Sequence, residues 1–186
     1  MFSAATVSST PGLSLHLAGP EIVDGVQNLK VVTTITNIGN ETLKLLNDPR
    51  GPLDTIPTDT FAIQNDADEE PDFVSIRVKY VPSVAVATGV DDAFTVLAPG
   101  QSVDVEHDRK CRLFVILAPD LMLCCIQVSS AYSFTASGSG SYNIQARDNI
   151  FHYVNPSDSS IVPIQAQPAA AFRTSVSGTL AIARQS

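Results

Sequence analysis

The feature that most constrains the fold is the alternation between residues 29 and 36, within NLKVVTTITNIGNETLKLL. Four side chains at every second position would share one face of an extended chain: Leu29, Val31, Thr33 and Ile35. Successive side chains of a strand point to opposite faces, so this period predicts a strand with one buried face. The turn residues at 37–41 and the apolar residues at 42–46 then predict a β-hairpin.

Comparable short segments, separated by Gly, Pro and Asn, recur along the chain. They lie at residues 13–18, 61–63, 73–81, 94–107, 129–146, 149–155 and 175–183. Val, Ile and Thr favour a pleated sheet, and we find no convincing amphipathic helix. Eight or nine such strands predict an all-β chain, a single antiparallel β-sandwich of the immunoglobulin-like type.

The charge of the chain narrows the choice of partners. A formal net charge of −8 and a pI near 4.6 would repel phosphate backbones and anionic lipid. No stretch reaches the roughly 18 apolar residues that a membrane helix needs. The sequence therefore argues against nucleic acid and membrane as partners.

Neither catalytic nor metal-binding residues are predicted. Each of the three histidines, His16, His107 and His152, stands alone on a predicted strand, and His-Glu-x-x-His is absent. Glu106 and His107 are adjacent and would point apart. The acidic residues 66–72 lack the ligand spacing and Gly of a calcium loop, so they predict an exposed loop. We expect structural histidines, no metal and no cofactor.

Residues 109–128 differ in composition from the rest and hold all three cysteines. Three interpretations stay open: a soft-metal site without a fourth ligand, a short strand pair that turns at Pro119-Asp120, or sequence foreign to the domain, such as a translated intron. The third is favoured. Residues 1–12 are expected to be a residual leader or a disordered N-terminus, and residues 13–186 the domain that 109–128 interrupts. Asn40-Glu41-Thr42 is an N-glycosylation motif in the turn.

One longer stretch carries a family resemblance. LAGPEIVDGVQNLKVVTTITNIGNETLKLLNDPRGPLDTIPTDTF, at 17–61, resembles the pro-region of fungal deuterolysin-type zinc metallopeptidases (aspzincins), most of all basidiomycete peptidyl-Lys metalloendopeptidases. The match continues in order through 94–108, 129–134, 150–155 and 176–184. In that family the pro-region precedes a catalytic domain with a His-Glu-x-x-His helix, so no catalytic position can be transferred to this chain.

The resemblance implies a non-catalytic, pro-domain-like module of a secreted protein. It would bind, inhibit or assist the folding of a zinc metalloendopeptidase. The best contact candidate is the proline-flanked loop, which would present Asn47, Asp48, Pro49 and Arg50; the alternative is an ordinary structural loop. Two further interpretations are a stand-alone secreted binding or effector protein, and a truncated gene model of a full metallopeptidase precursor.

Overall fold

A computed structural model describes residues 10–107, 131–167 and 171–177. Within these residues the α-helix Pro82–Thr88 (α1) and the 3-10 turns Val26–Asn28 and Asp91–Ala93 accompany the strands. In chain order the strands are Leu13–Ala18 (β1), Ile22–Asp24 (β2), Val31–Asn37 (β3), Leu43–Leu46 (β4), Phe61–Asn65 (β5), Asp72–Phe73 (β6), Phe94–Leu97 (β7), Ser102–His107 (β8), Tyr132–Ser133 (β9), Gly140–Ala146 (β10), Ile150–Val154 (β11), Ile161–Gln167 (β12) and Phe172–Ser177 (β13). Within these residues, no helix is long and apolar enough to cross a membrane.

The all-β prediction is confirmed, and three sheets hold the strands. The largest has the order β7-β4-β11-β12-β1-β3-β8, the second β2-β13-β10-β5, and β6 pairs with β9 in a third. The expectation of purely antiparallel pairing was wrong, because β1 runs parallel to β12 and β2 runs parallel to β13. The remaining pairings among the described strands are antiparallel.

The alternation that predicted β3 is reproduced in its burial. Val31, Thr33, Ile35 and Asn37 are buried, and the residues between them are only partly buried. The buried faces of both larger sheets contribute to one hydrophobic cluster. Its fully buried members include Leu13, Val31, Ile35, Leu43, Leu45 and Ile144. Burial of each such side chain stabilises the fold by about 1.5–3 kcal/mol.

The largest sheet must fold round on itself. Its two edge strands, β7 and β8, are consecutive in the chain, and only residues 98–101 connect them. In a flat seven-stranded sheet the edges would lie about 29 Å apart at about 4.8 Å per strand. Five Cα–Cα steps reach at most about 18 Å. The two edges therefore approach each other at a corner.

Two antiparallel pairs, β3–β8 and β4–β7, meet at this corner. Thr36 lies opposite Ser102 on one side of the corner, and Leu43 lies opposite Leu97 on the other. The hairpin predicted between 29 and 46 is therefore wrong in its pairing, although both strands exist. β3 pairs with β1 and β8, whereas β4 pairs with β7 and β11.

Asn37 holds the corner together and is completely buried. Its Nδ2 donates to the carbonyl oxygens of Glu41 (2.7 Å) and Leu97 (2.9 Å), and its Oδ1 accepts from the Gly39 N–H (3.0 Å). Its backbone N–H donates to the Gln101 carbonyl (3.0 Å), and its own carbonyl accepts from the Gly100 N–H (2.8 Å). One residue thus satisfies polar backbone on both sides of the corner.

Gly39 allows the N-terminal segment to approach this corner. A Cβ at position 39 would lie 2.5 Å from the Thr10 carbonyl oxygen and 2.8 Å from the Gly12 nitrogen, closer than real Cβ atoms come. The space is used by backbone, because the Ile38 and Gly39 N–H groups both donate to the Gly12 carbonyl at 3.0 and 3.2 Å. Only glycine fits there without displacing residues 10–12.

His107 lies at the end of β8 in a buried polar cluster. Its Nε2 is 3.3 Å from the Pro52 carbonyl oxygen and 3.3 Å from Thr33 Oγ1, which itself donates to that carbonyl (2.9 Å). Its ring also meets Phe61 edge to face at 4.9 Å. Burial lowers the pKa of His107 to about 4, against a smaller opposing effect of the Pro52 hydrogen bond. The ring is therefore a neutral, structural part of the core, as expected.

The predicted strand at 73–81 was wrong beyond its first residue. Only Asp72–Phe73 pair, with β9, and residues 74–81 are neither helix nor strand before α1 begins. Alternating apolar and polar residues suit a segment to a half-buried sheet, but a β-strand also needs a neighbouring strand for its backbone hydrogen bonds. The insertion predicted at 109–128 and nearly all of the predicted leader, 1–12, lie outside the described residues.

Two strands, β2 and β12, were missed from the sequence. β2 has three residues, too few to show a period. β12 contains Pro163, which normally argues against a strand with neighbours on both sides. The sheet accommodates it because β12 pairs with β1 only at Ala166 and Gln167, so no partner on that side needs an N–H from position 163.

We expect Asn37→Ala to lower the free energy of unfolding by about 3 kcal/mol, because it removes three side-chain hydrogen bonds at the corner, one of them buried and two partly buried. Urea denaturation measures the change. Asn143→Ala is the matched control, since Asn143 is exposed on β10, and its effect should stay within about 0.5 kcal/mol. Equal effects of the two substitutions would contradict the role given to Asn37.

His107 should make stability depend on pH. Its pKa is lower in the folded state (about 4) than the ordinary value of 6.5, so the unfolded state gains the proton first as pH falls. The free energy of unfolding should be unaffected by His107 above pH 6.5 and should drop by up to about 3 kcal/mol as the pH approaches 4.

Denaturation at several pH values checks this expectation. His107→Gln should flatten the pH dependence, whereas His16→Gln, at an exposed position of β1, should keep it. If His107→Gln does not fold, NMR titration of the wild-type His107 ring gives the same information. A midpoint near 6.5 in that titration would contradict the buried, neutral ring.

Candidate partner-binding site

The predicted contact residues lie in a loop that follows β4, residues 47–56, which we call the Arg50 loop. Asn47 fixes its start, because the Asn47 N–H donates to the Ala93 carbonyl (2.9 Å) and Nδ2 donates to the Asp92 carbonyl (3.0 Å). The Asn47 Oδ1 accepts from Thr95 Oγ1 at 2.7 Å. Asn47 is therefore a structural residue that ties the loop to β7, and its polar groups are used within the chain.

Hydrogen bonds from two buried threonine hydroxyls fix the Arg50 loop to the rest of the protein. Thr58 Oγ1 donates to the carbonyl of Pro49 (2.6 Å), and Thr33 Oγ1 donates to that of Pro52 (2.9 Å). Both threonines and Pro49 are buried. Pro49 therefore packs against the protein interior and is not available to contact a partner.

Asp48 and Arg50 bind each other. Arg50 Nε donates to Asp48 Oδ1 (2.9 Å) and Nη2 donates to Oδ2 (2.6 Å), while the Arg50 backbone N–H also donates to Oδ1 (2.9 Å). The Arg50 side chain is 51% exposed and that of Asp48 20% exposed. The hydrogen bond with Asp48 is the largest cause that raises the pKa of Arg50. The pair displays a guanidinium in a fixed orientation.

Tyr80 is a residue of this site that the sequence did not indicate. The Arg50 guanidinium carbon lies 5.8 Å from the Tyr80 ring centroid, within range of a cation–π contact. Burial, and then the charge of Asp48, raise the pKa of Tyr80. Its hydroxyl is buried and has no hydrogen-bond partner among the described residues. Alternation had placed Tyr80 in a strand, which hid this contact.

The arrangement suits recognition better than chemistry. The charged groups are already paired, and no nucleophile stands beside a base in the Arg50 loop. The last residue of the loop, Ile56, is apolar and 36% exposed, and Val81, which follows Tyr80, is 43% exposed. Arginine and exposed apolar side chains are both common in protein–protein interfaces, so this surface can contact another protein.

Asn40, the predicted glycosylation residue, is exposed in the turn before β4. Its Oδ1 accepts from the Thr10 N–H at 2.8 Å, whereas a glycan would be attached at the side-chain nitrogen. The position is therefore accessible, and glycosylation stays a prediction.

The other sequence expectations have simple structural outcomes. The acidic segment 66–72 is an exposed loop over residues 66–70, as predicted, whereas Pro71 is buried and Asp72 begins β6. Two of its carboxylates pair with arginines, Asp66 with Arg173 (2.7 Å) and Glu70 with Arg147 (3.1 Å). In the described part of the chain, no group of three or more His, Cys, Asp and Glu side chains could hold a metal ion.

Comparison with known proteins gives the relationship of the chain. It is 52% identical over 181 residues to a peptidyl-Lys metalloendopeptidase of Grifola frondosa and 41% identical over 185 residues to one of Armillaria mellea. These matches cover 97% and 99% of this chain but only 46% of either relative. No family model matches the chain.

The resemblance inferred from LKLLNDPRGPL is therefore confirmed. The chain spans about half the length of the curated relatives that it matches, and their names describe proteins about twice as long. The chain is a relative of the fungal peptidyl-Lys metalloendopeptidases and matches one part of those longer proteins, their pro-region.

Proposed function

We propose that this chain is a non-catalytic, pro-domain-like module that binds a secreted peptidyl-Lys type metalloendopeptidase domain. Binding would keep the peptidase inactive or assist its folding. The observation that carries this proposal is that nearly all of this chain matches only 46% of the length of each relative. The remaining part of each relative is where the catalytic domain is expected.

The Arg50 loop supports a binding role. It is fixed by buried contacts, and it presents an oriented guanidinium beside exposed apolar residues. A preformed surface loses little conformational freedom on association, so more of its contact energy is available for affinity.

We propose that the two larger sheets form an immunoglobulin-like sandwich. One hydrophobic cluster draws on both of them. The buried Tyr142 also donates from its hydroxyl to the Gly138 carbonyl, four residues earlier, at 2.6 Å. A tyrosine that bonds back to nearby upstream backbone is typical of such sandwiches. A module of this kind can offer its loops without supplying chemistry.

Inhibition of the mature Grifola frondosa relative tests the proposal. The full chain, added in molar excess, should slow cleavage of a lysine-containing reporter peptide. Arg50→Ala should weaken inhibition about tenfold, equivalent to about 1.4 kcal/mol of binding free energy. Arg173→Ala is the matched control, because Arg173 forms a comparably exposed pair with Asp66 on the second sheet.

Refolding separates the two proposed roles. If the chain is a folding aid, denatured peptidase domain should recover more activity when the chain is present during refolding. If the chain neither inhibits the peptidase nor improves its refolding at high molar excess, the proposed function is overturned and the stand-alone binding protein is favoured.

A further inference from the structure

The residues between β6 and α1, positions 74–81, form a segment that we call the arm. Among the described residues, backbone hydrogen bonds reach only its two ends. The Val74 N–H donates to the Ala131 carbonyl (2.9 Å), and the Val81 carbonyl accepts from the N–H groups of Val84 (3.0 Å) and Ala85 (3.3 Å). The residues between have a strand-like sequence whose backbone is unpaired within the described chain.

The arm also exposes apolar side chains. Val74 is 59% exposed and Ile76 is 45% exposed. The helix that follows, α1, has no buried residues, so it does not pack over Val74 and Ile76. An unpaired backbone with apolar side chains at alternate positions is what a peptide needs to add as a strand to another protein.

Lys79 distinguishes this arm from the other described lysines. Lys30 lies beside β3 and forms an ion pair with Glu106. Lys44 lies within β4, with Nζ 4.0 Å from the Phe94 ring centroid. Lys79 is exposed, lies outside the sheets, and has no ion pair or ring contact with the described residues. Another protein can therefore bind Lys79 without breaking an ion pair or ring contact in the described chain, whereas binding Lys30 or Lys44 would break one.

We infer that the arm occupies the substrate cleft of the peptidyl-Lys type metallopeptidase, with Lys79 in its lysine-recognition site. This inference rests on the proposed function and identifies the part of the module that the peptidase recognises. The unpaired backbone would bond to the cleft as an added strand. Tyr80 anchors the end of the arm to Arg50, so the arm and the Arg50 loop form one continuous surface.

A substrate-like arm should be cut slowly at Lys79. Hydrolysis adds one water across a single peptide bond, and leaves a carboxylate on one fragment and an amine on the other. Cleavage needs an accessible, locally unpaired chain, which the arm offers and the strands around Lys30 and Lys44 do not. A peptide bond next to Lys79 should therefore be hydrolysed before any peptide bond next to Lys30 or Lys44.

The test uses the full chain and the mature Grifola frondosa peptidase. Mass spectrometry over time identifies which of Lys30, Lys44 and Lys79 is cut first, and reporter-peptide cleavage measures inhibition. Lys79→Gln should remove that cut and weaken inhibition at least about tenfold. Arg77→Gln is the matched control, because it removes a positive charge from the same exposed arm and keeps the lysine; its inhibition should stay within about twofold of wild type.

The outcomes separate this inference from the proposed function. If the wild-type chain inhibits but Lys79→Gln inhibits equally well, or if the first cut falls at Lys30 or Lys44, the inference is overturned and the proposed function stands. Equal weakening by Arg77→Gln and Lys79→Gln would show attraction by charge alone and also overturn lysine recognition. If the wild-type chain neither binds nor inhibits, both fail.

Discussion

The buried side chain of Asn37 is the interaction on which the rest of the structure depends. The largest sheet can place consecutive strands at its two edges only by closing at one corner, and Asn37 supplies three side-chain hydrogen bonds there. An amide in a completely buried position is costly unless all its groups are bonded, and here they are. Because the Arg50 loop begins directly after β4, the same corner also determines where the candidate site lies.

Local sequence predicted which residues form several strands and which faces are buried, but it did not predict the pairing. Residues 31–37 alternate because one face lies in the core. β3 and β4 do not pair with each other because both pair with residues 94–107, which lie 48 to 76 positions further along the chain. Turn residues at 37–41 fit a hairpin and a corner equally well, so the sequence alone could not separate the two.

The candidate site shows the same division between local and distant information. Prolines and turn residues located the Arg50 loop correctly. The sequence suggested that Asp48 and Arg50 were both displayed, whereas the structure pairs them and leaves mainly the guanidinium exposed. Tyr80, which contacts Arg50, lies 30 positions further along the chain in a segment whose alternation predicted a strand. A contact between two loops leaves no periodic signal, so reasoning from periodicity could not find it.

The arm turns a failed strand prediction into information about association. A sequence with strand periodicity contributes to stability when its backbone groups exchange water for a partner strand and its apolar side chains leave water. In the described chain the backbone between the two ends of the arm has no partner strand, and the side chains of Val74 and Ile76 stay exposed to water. Stability of this module alone would not require such a sequence, and polar residues would serve equally well there. A second protein that provides the missing strand would account for the pattern, as we propose for this arm.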